Sequence, residues 1–566
     1  MRPAHAQTDS ENTKMNQFSG LSSGLSSGLS ALIIEPHPGM RASLHNMLNL
    51  CGVTRIEDAS SAGQAVRMLS SKSYDIVLCE YSLDGGQDGQ QMLEDLRHHR
   101  LIQPATLFFM VTGEGQFNKV VSAAELQPND YILKPFTADN MLERIARALD
   151  KRSALSGIRQ LVALGDQRGA IAACQDGERE QPRYAADFQR LRAELHVELG
   201  EPELAEPIYA ELYASKNIHW ARLGQAKCLF LRGAHEESQA MLAALVDQNK
   251  RFLDAYDWLA RTHEVGSDWS RAQAVLSEAV ELSPHAVRRL RRLGEVALEA
   301  GDLDTAEQAW KQVVSKARFS EFRDPEDHAR LVSALVRKGD PVQAAAVIRD
   351  LDKSLAGQRN TAVCSAISSA MLHEYTGNEE RLEQSIHFAL AGCRRASGLS
   401  SDLRLELART CLEGGKPEQA AEVLRGVMRN AGNAAAMAKA MRVLEDAGQG
   451  ELAQQLAAES RQEVVDMVAV GAARAKEGDF RGAVELMMEA VAKLPDNGQV
   501  VFNAAVAVLK CLENTGWDEM LGQDALNLIA SVRRLDPVNP KLTALSALHL
   551  DILKKYNIRA GRLTAM

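Results

Sequence analysis

From Ala31 to about Asp150, short apolar runs alternate with stretches whose apolar residues recur at helical spacing. Ala31-Leu32-Ile33-Ile34-Glu35 is one such run, closed by an acid, and Ile76 to Cys79 is another, closed by Glu80. Runs apolar throughout read as strands buried on both faces, the signature of a parallel sheet. Weaker runs at Val53–Ile56, Ala105–Val111 and Tyr131–Leu133 complete a set of five strands. Between and after them, Met40–Leu50, Ala62–Leu69, Gln90–His99, Gln116–Leu126 and Thr137–Asp150 carry the pattern of amphipathic helices. This alternation predicts a doubly wound parallel sheet with helices on both faces. In such sheets ligands collect at the carboxyl ends of strands, which is where Glu35 and Glu80 fall.

Beyond Asp150 the strand pattern stops and helical periodicity continues to the end of the sequence. The helices repeat. Leu259-Ala260, Gly266, Ala272 and Leu276 recur as Leu293-Gly294, Gly301, Ala306 and Trp310, an offset of 34 at the main anchors (293 − 259, 306 − 272, 310 − 276). Leu407-Ala408, Gly415, Ala420, Leu424 and Val470-Gly471, Gly478, Ala483, Met487 follow the same spacing, with looser copies around Gly165, Gly200, Gly233, Gly339 and Gly448. Small residues such as Gly294 and Ala306 let paired helices approach. Gly301-Asp302, Gly339-Asp340 and Gly478-Asp479 read as turns that end one helix and cap the next. The segment Trp220-Ala221-Arg222-Leu223-Gly224 carries a W-x-x-L-G piece. Together these residues resemble the tetratricopeptide repeat, a helix–turn–helix unit that must stack with its neighbours to bury an apolar face. About nine to eleven units fit residues 151–566, with irregular copies near Gly377 and beyond Val501. The resemblance implies a groove that binds protein segments. The repeated asparagine and lysine positions of the family's carboxylate-clamping members are not seen.

Composition narrows the classes. A chain of 566 residues needs more than one core. The organisation read from it is a Gly/Ser/Leu-rich tail over 1–30, a sheet domain over 31–150 and a helical repeat domain over 151–566. The formal net charge of −10 speaks against a nucleic-acid or anionic-membrane partner. Arg288-Arg289-Leu290-Arg291-Arg292 is a local basic cluster, but helical spacing spreads its arginines round the axis, so it reads as a solvated helix face. His98-His99, at a polar helix end, reads as solvated too. The eight cysteines form no CxxC pair and read as reduced core residues of a cytoplasmic protein. No apolar run is long enough for a membrane span. P-loop, GxSxG, HExxH and GxGxxG signatures are absent, so no enzymatic activity is expected.

The sheet domain resembles the receiver domain of two-component response regulators, a five-stranded flavodoxin-like fold. The likeness rests on Glu35, Tyr74-Asp75, Glu80, Val111-Thr112-Gly113 and Tyr131-Ile132-Leu133-Lys134-Pro135-Phe136, in the family's order. It implies that position 80 corresponds to the aspartate that accepts a phosphoryl group from a histidine kinase. It also implies Mg²⁺ held by paired acids after the first strand, and Lys134, Thr112 and Tyr131 as the pairing lysine, the switch hydroxyl and the switch aromatic. Two departures change the chemistry. Glu80 carries one methylene more than aspartate, and a misplacement of about 1 Å can cost on the order of 100-fold in an in-line transfer. Pro36 stands where the second acid would be and supplies no side-chain oxygen, leaving Glu35 as a vestigial ligand. The sequence therefore predicts a receiver that is not phosphorylated, held by a Glu80–Lys134 ion pair and joined to a protein-binding scaffold, with no cofactor. The alternative is a working phosphorelay regulator that keeps Mg²⁺ and places the phosphoryl group on Asp84 or Asp88. A third reading makes both parts serve oligomerisation alone.

Overall fold

The computed structural model describes residues 28–558 apart from 84–87, 104, 114–127, 217, 285, 319–322, 397, 433, 537–538 and 540. The tail before residue 28, the expected helix Gln116–Leu126 and Asp84 therefore lie outside the described residues.

The apolar runs form five strands, β1 (Ser30–Ile34), β2 (Arg55–Ala59), β3 (Ile76–Glu80), β4 (Leu107–Gly113) and β5 (Asp130–Lys134). They pair in the order β2-β1-β3-β4-β5, every pair parallel. Helices α1 (Pro38–Leu50), α2 (Ala62–Ser71), α3 (Gly89–His98) and α4 (Ala138–Ala154) cover both faces. Alternate strand residues point to opposite faces. Leu32, Val77, Cys79, Phe108 and Met110 join Val66, Leu69, Leu93 and Leu96 in one core. Ile33, Ile76, Leu78, Phe109 and Ile132 join Leu44, Leu48, Met141 and Ile145 in the other. Two strands differ from the sequence reading. The second begins at Arg55 and runs to Ala59, because Val53 is drawn into the core behind α1 before the strand starts. At this sheet edge three of the five strand residues are charged, so the run looks weak in sequence. The fourth extends through Thr112 to Gly113, since the polar hydroxyl does not interrupt the ladder.

After α4 every described element is helical. The expected turns form. Gly339 and Gly478 adopt φ of 83° and 87°, which favours glycine. Asp340 and Asp479 then accept the Gln343 and Gly482 amides at 2.9 Å each. Asp302 caps Thr305 in the same way at 3.0 Å. Gly224 lies so close to the Tyr209 ring that a Cβ there would sit 2.6 Å from it, as the small-residue pattern requires. The copy near Gly377 is a regular pair of helices, Thr361–Tyr375 and Glu379–Arg395, and not an interruption. The break falls elsewhere. Gly450–Lys476 is one continuous helix of 27 residues that takes in the repeat anchor Val470-Gly471. Its run of alanine, glutamine and glutamate holds no proline to stop it.

The chain divides into two compact units. One takes the sheet domain up to Ser156 with Ala234–Gly301 and Lys311–Arg323; the other takes Gly157–Gly233, Asp302–Trp310 and the helices from Asp324 onward. In the first, the basic cluster departs from a solvated face at one position. Arg289 is buried and forms a two-pronged ion pair with Asp257, at 3.1 Å for each contact. The reason is the repeat itself: stacked helices place residue 289 against an acid 32 positions earlier (289 − 257). Arg288 and Arg292 remain exposed. All eight cysteines are free thiols, and all but Cys393 are buried. No helix among the described residues is long and apolar enough to cross a membrane.

Candidate functional site

The carboxyl ends of β1, β3, β4 and β5 place four sequence-selected residues side by side. Glu35 follows β1, Glu80 ends β3 opposite Val111, Thr112 lies one residue further along β4, and Lys134 ends β5 opposite Gly113. Lys134 reaches across the sheet and donates from Nζ both to Glu80 Oε2 and to Glu35 Oε2, the second at 3.3 Å. Both acids are buried, with side chains 1% and 8% exposed for Glu35 and Glu80, whereas Lys134 is 27% exposed. Burial works against the lysine's charge. The hydrogen bond to Glu80 and the charges of Glu80 and Glu35 outweigh it and hold the ammonium above its ordinary pKa.

The remaining acid oxygens are also engaged. Glu80 Oε1 accepts the Ser82 amide at 3.2 Å. Glu35 Oε1 accepts the His37 amide at 3.0 Å and lies 3.3 Å from His37 Nδ1. Arg41, which sequence reasoning did not single out, donates to the carbonyls of Glu35 and Pro36 at 2.7 Å each and pairs with Asp58 at 3.2 Å. Pro36 thus contributes a carbonyl already taken by a guanidinium. A hard divalent cation such as Mg²⁺ wants near-octahedral oxygen ligands. Among the described residues no group of three or more acidic, histidine or cysteine side chains could hold a metal ion; the two carboxylates here are bridged by an ammonium, which does not fit that ion. The floor of the site is equally close-packed: a Cβ on Gly89 would lie 2.5 Å from the Glu80 carbonyl oxygen and 2.8 Å from Met110 Sδ.

Residues 31–146 match the response regulator receiver domain. Two curated relatives align over 120 residues, 21% of this chain. They are the chemotaxis protein CheY of Pseudomonas aeruginosa, 28% identical with 95% of its length covered, and the chemotaxis protein CheY-3 of Vibrio cholerae, 27% identical with 91% covered. Among solved structures, a response regulator receiver domain protein from Clostridium thermocellum is 20% identical, covering 23% of this chain and 99% of that one, at a TM-score of 0.21. A tetratricopeptide repeat protein from Parabacteroides merdae is 12% identical, covering 47% of this chain and 97% of that one, at a TM-score of 0.30.

Within the receiver domain Thr112 and Tyr131, the two residues expected to act as a switch, are set as follows. The Thr112 side chain is fully buried and its hydroxyl donates to the Gly113 carbonyl at 3.4 Å. The Tyr131 ring packs against the core that holds Met92, Leu96 and Met110, with its hydroxyl excluded from solvent. Burial, then the neighbouring Tyr81, pushes its phenol pKa up. The structure brings Glu35, Glu80 and Lys134 into direct contact and sets Thr112 and Tyr131 on the adjoining strands. Asp88, the other acid considered as an acceptor, is hydrogen-bonded by the Tyr81 phenol, whose pKa burial chiefly lifts to about 12. The Lys134–Pro135 peptide is cis.

The helical units carry charge networks that no local motif announces. Glu406 accepts from Ser333 at 3.0 Å, from Arg337 at 2.8 Å and from Arg409 at 2.7 Å. Burial would raise its pKa, yet Arg337 and Arg409 hold its carboxyl below the usual range. Contacts made 69 to 73 residues apart have no signature in sequence.

Proposed function

We propose that the receiver domain does not accept a phosphoryl group and is held in a single state by its own ion pair. In this reading the chain is a cytoplasmic signalling adaptor: a receiver-type face docks a two-component protein such as a histidine kinase, and the helical units, acting as tetratricopeptide repeats, hold another protein. The observation that carries the proposal is Lys134 bridging Glu80 and Glu35. The ammonium sits between the two acids that a metal and a phosphoryl group would both need, and Pro36 leaves the metal one ligand short. Tyr131, packed inward, fits a locked setting. Neither an enzymatic activity nor a bound cofactor forms part of this reading.

Calorimetric titration of the full-length chain with Mg²⁺ tests the site. No saturable binding at millimolar concentrations is expected, and a stoichiometric Mg²⁺ site lost on Glu80→Gln would contradict the proposal. Affinity purification of the tagged chain, read by mass spectrometry, tests the scaffold. Two-component proteins are expected above a tag-only control, and recovery of no protein under any growth condition would count against the adaptor role.

A further inference from the structure

In a stacked repeat array each unit contacts its neighbours and little else, so stability is a sum of local terms and the ends fray independently. The second compact unit departs from that rule. Arg533, in the helix Glu519–Leu535, donates from Nη2 to Gln167 Oε1 at 3.0 Å, across 366 residues of sequence. Gln167 opens the helix Gln167–Glu180 and is buried. Glu198, in the helix Ala185–Glu198, is near enough to offset part of what burial does to the Arg533 guanidinium. Beside them His549, from the helix Leu542–Lys555, is 1% exposed, and a methyl group at Gly165 would lie 3.7 Å from its Nδ1. The first helices of the unit therefore meet its last ones.

The contact is loosely made. Gly165, Gln167, Leu199, Thr543 and Leu550 line a cleft of about 440 Å³, and Leu164 and Leu553 border a second of about 230 Å³. Two polar atoms here, Arg533 Nε and His549 Nε2, have no hydrogen-bond partner among the described residues. Buried polar atoms without partners weaken the surface that holds them. From this juxtaposition of first and last helices over open clefts we infer that the contact is a clasp. It ties the two ends of the second unit into one cooperative body, and it is where that unit opens. Parting it frees both ends together and leaves the middle helices stacked.

Limited trypsin digestion of the full-length chain, read by mass spectrometry, tests the clasp at Arg533→Ala. Cleavage at Arg168, Arg179 and Arg183 is expected to accelerate at least tenfold, while cleavage at Arg409 and Arg425 stays within twofold of the parent. Gln167→Ala, which removes only the acceptor, is expected to expose Lys554 and Lys555 in the reciprocal direction. Should Arg533→Ala lose its helical circular dichroism, Gln167→Ala decides alone. If Arg533→Ala loosens only residues 519–555, or Gln167→Ala only residues 157–200, the ends are independent and the clasp is wrong.

Discussion

Replacing Lys134 by methionine keeps the apolar stem and removes the ammonium shared by Glu35 and Glu80. Truncating one partner of a buried pair costs about 3–5 kcal/mol, since an uncompensated charge stays behind. With the Lys134 side chain 27% exposed and water able to reach the site, a cost of about 2 kcal/mol is the working figure. That corresponds to about 30-fold faster hydrogen exchange for amides that open with the local structure, at about 1.4 kcal/mol per decade. In the full-length chain the effect should appear at Val77–Glu80 and Ile132–Lys134, read by mass spectrometry. A further signature separates an electrostatic cause from lost packing. Adding Glu80→Gln should recover about 1 kcal/mol, because it removes one of two repelling carboxylates. The parent should show no Lys134-linked change between pH 5 and 7. Its ammonium is raised in the folded state, so the contribution is complete below the unfolded lysine pKa of about 10.4 and is lost only as pH climbs through the folded value. A change below threefold, or a deficit indifferent to Glu80→Gln, would refute the bridge.

His549 is pushed down to about 4 by burial, below the unfolded histidine value of about 6.5. The unfolded chain therefore binds the proton first, and the helical unit should lose on the order of 3 kcal/mol as pH falls from 6.5 to 4. His549→Phe should flatten that slope in urea midpoints, and an unchanged slope would show that other groups cause it. Gly89→Ala forces a Cβ within 2.5 Å of the Glu80 carbonyl oxygen, and overpacking of this kind costs about 1–3 kcal/mol; hydrogen exchange at β3 and α3 should register it. Arg289→Ala leaves Asp257 without its two-pronged partner and should cost about 2–4 kcal/mol of stability in the first unit, whereas Arg288→Ala, at an exposed position, should cost under about 0.5 kcal/mol.

Much of this architecture is written locally. Strands apolar on both sides, such as Ile76–Cys79, announce a parallel sheet because helices must cover both faces. Gly339-Asp340 announces a turn because one residue accepts positive φ and the next caps a helix. The Glu80–Lys134 pair was legible too, since both fall at strand ends that a parallel sheet brings together. What was not legible depends on distant partners. Arg289 looked solvated because its acid comes from the preceding repeat. Arg41 gave no sign of binding the Pro36 carbonyl, and Arg533 none of reaching Gln167. The uninterrupted helix Gly450–Lys476 was obscured for a different reason: spacing alone does not say whether a repeat boundary is a turn or a continuation.

The central claim is that the Glu80 site takes no phosphoryl group. The direct measurement incubates the full-length chain with Mg²⁺ and a small-molecule phosphodonor, then assays intact mass and acid-stable, base-labile phosphate. The parent should remain unmodified, and the double variant Glu80→Asp with Pro36→Asp should gain one acyl phosphate on residue 80. An acyl phosphate on the receiver domain of the parent chain would contradict the account.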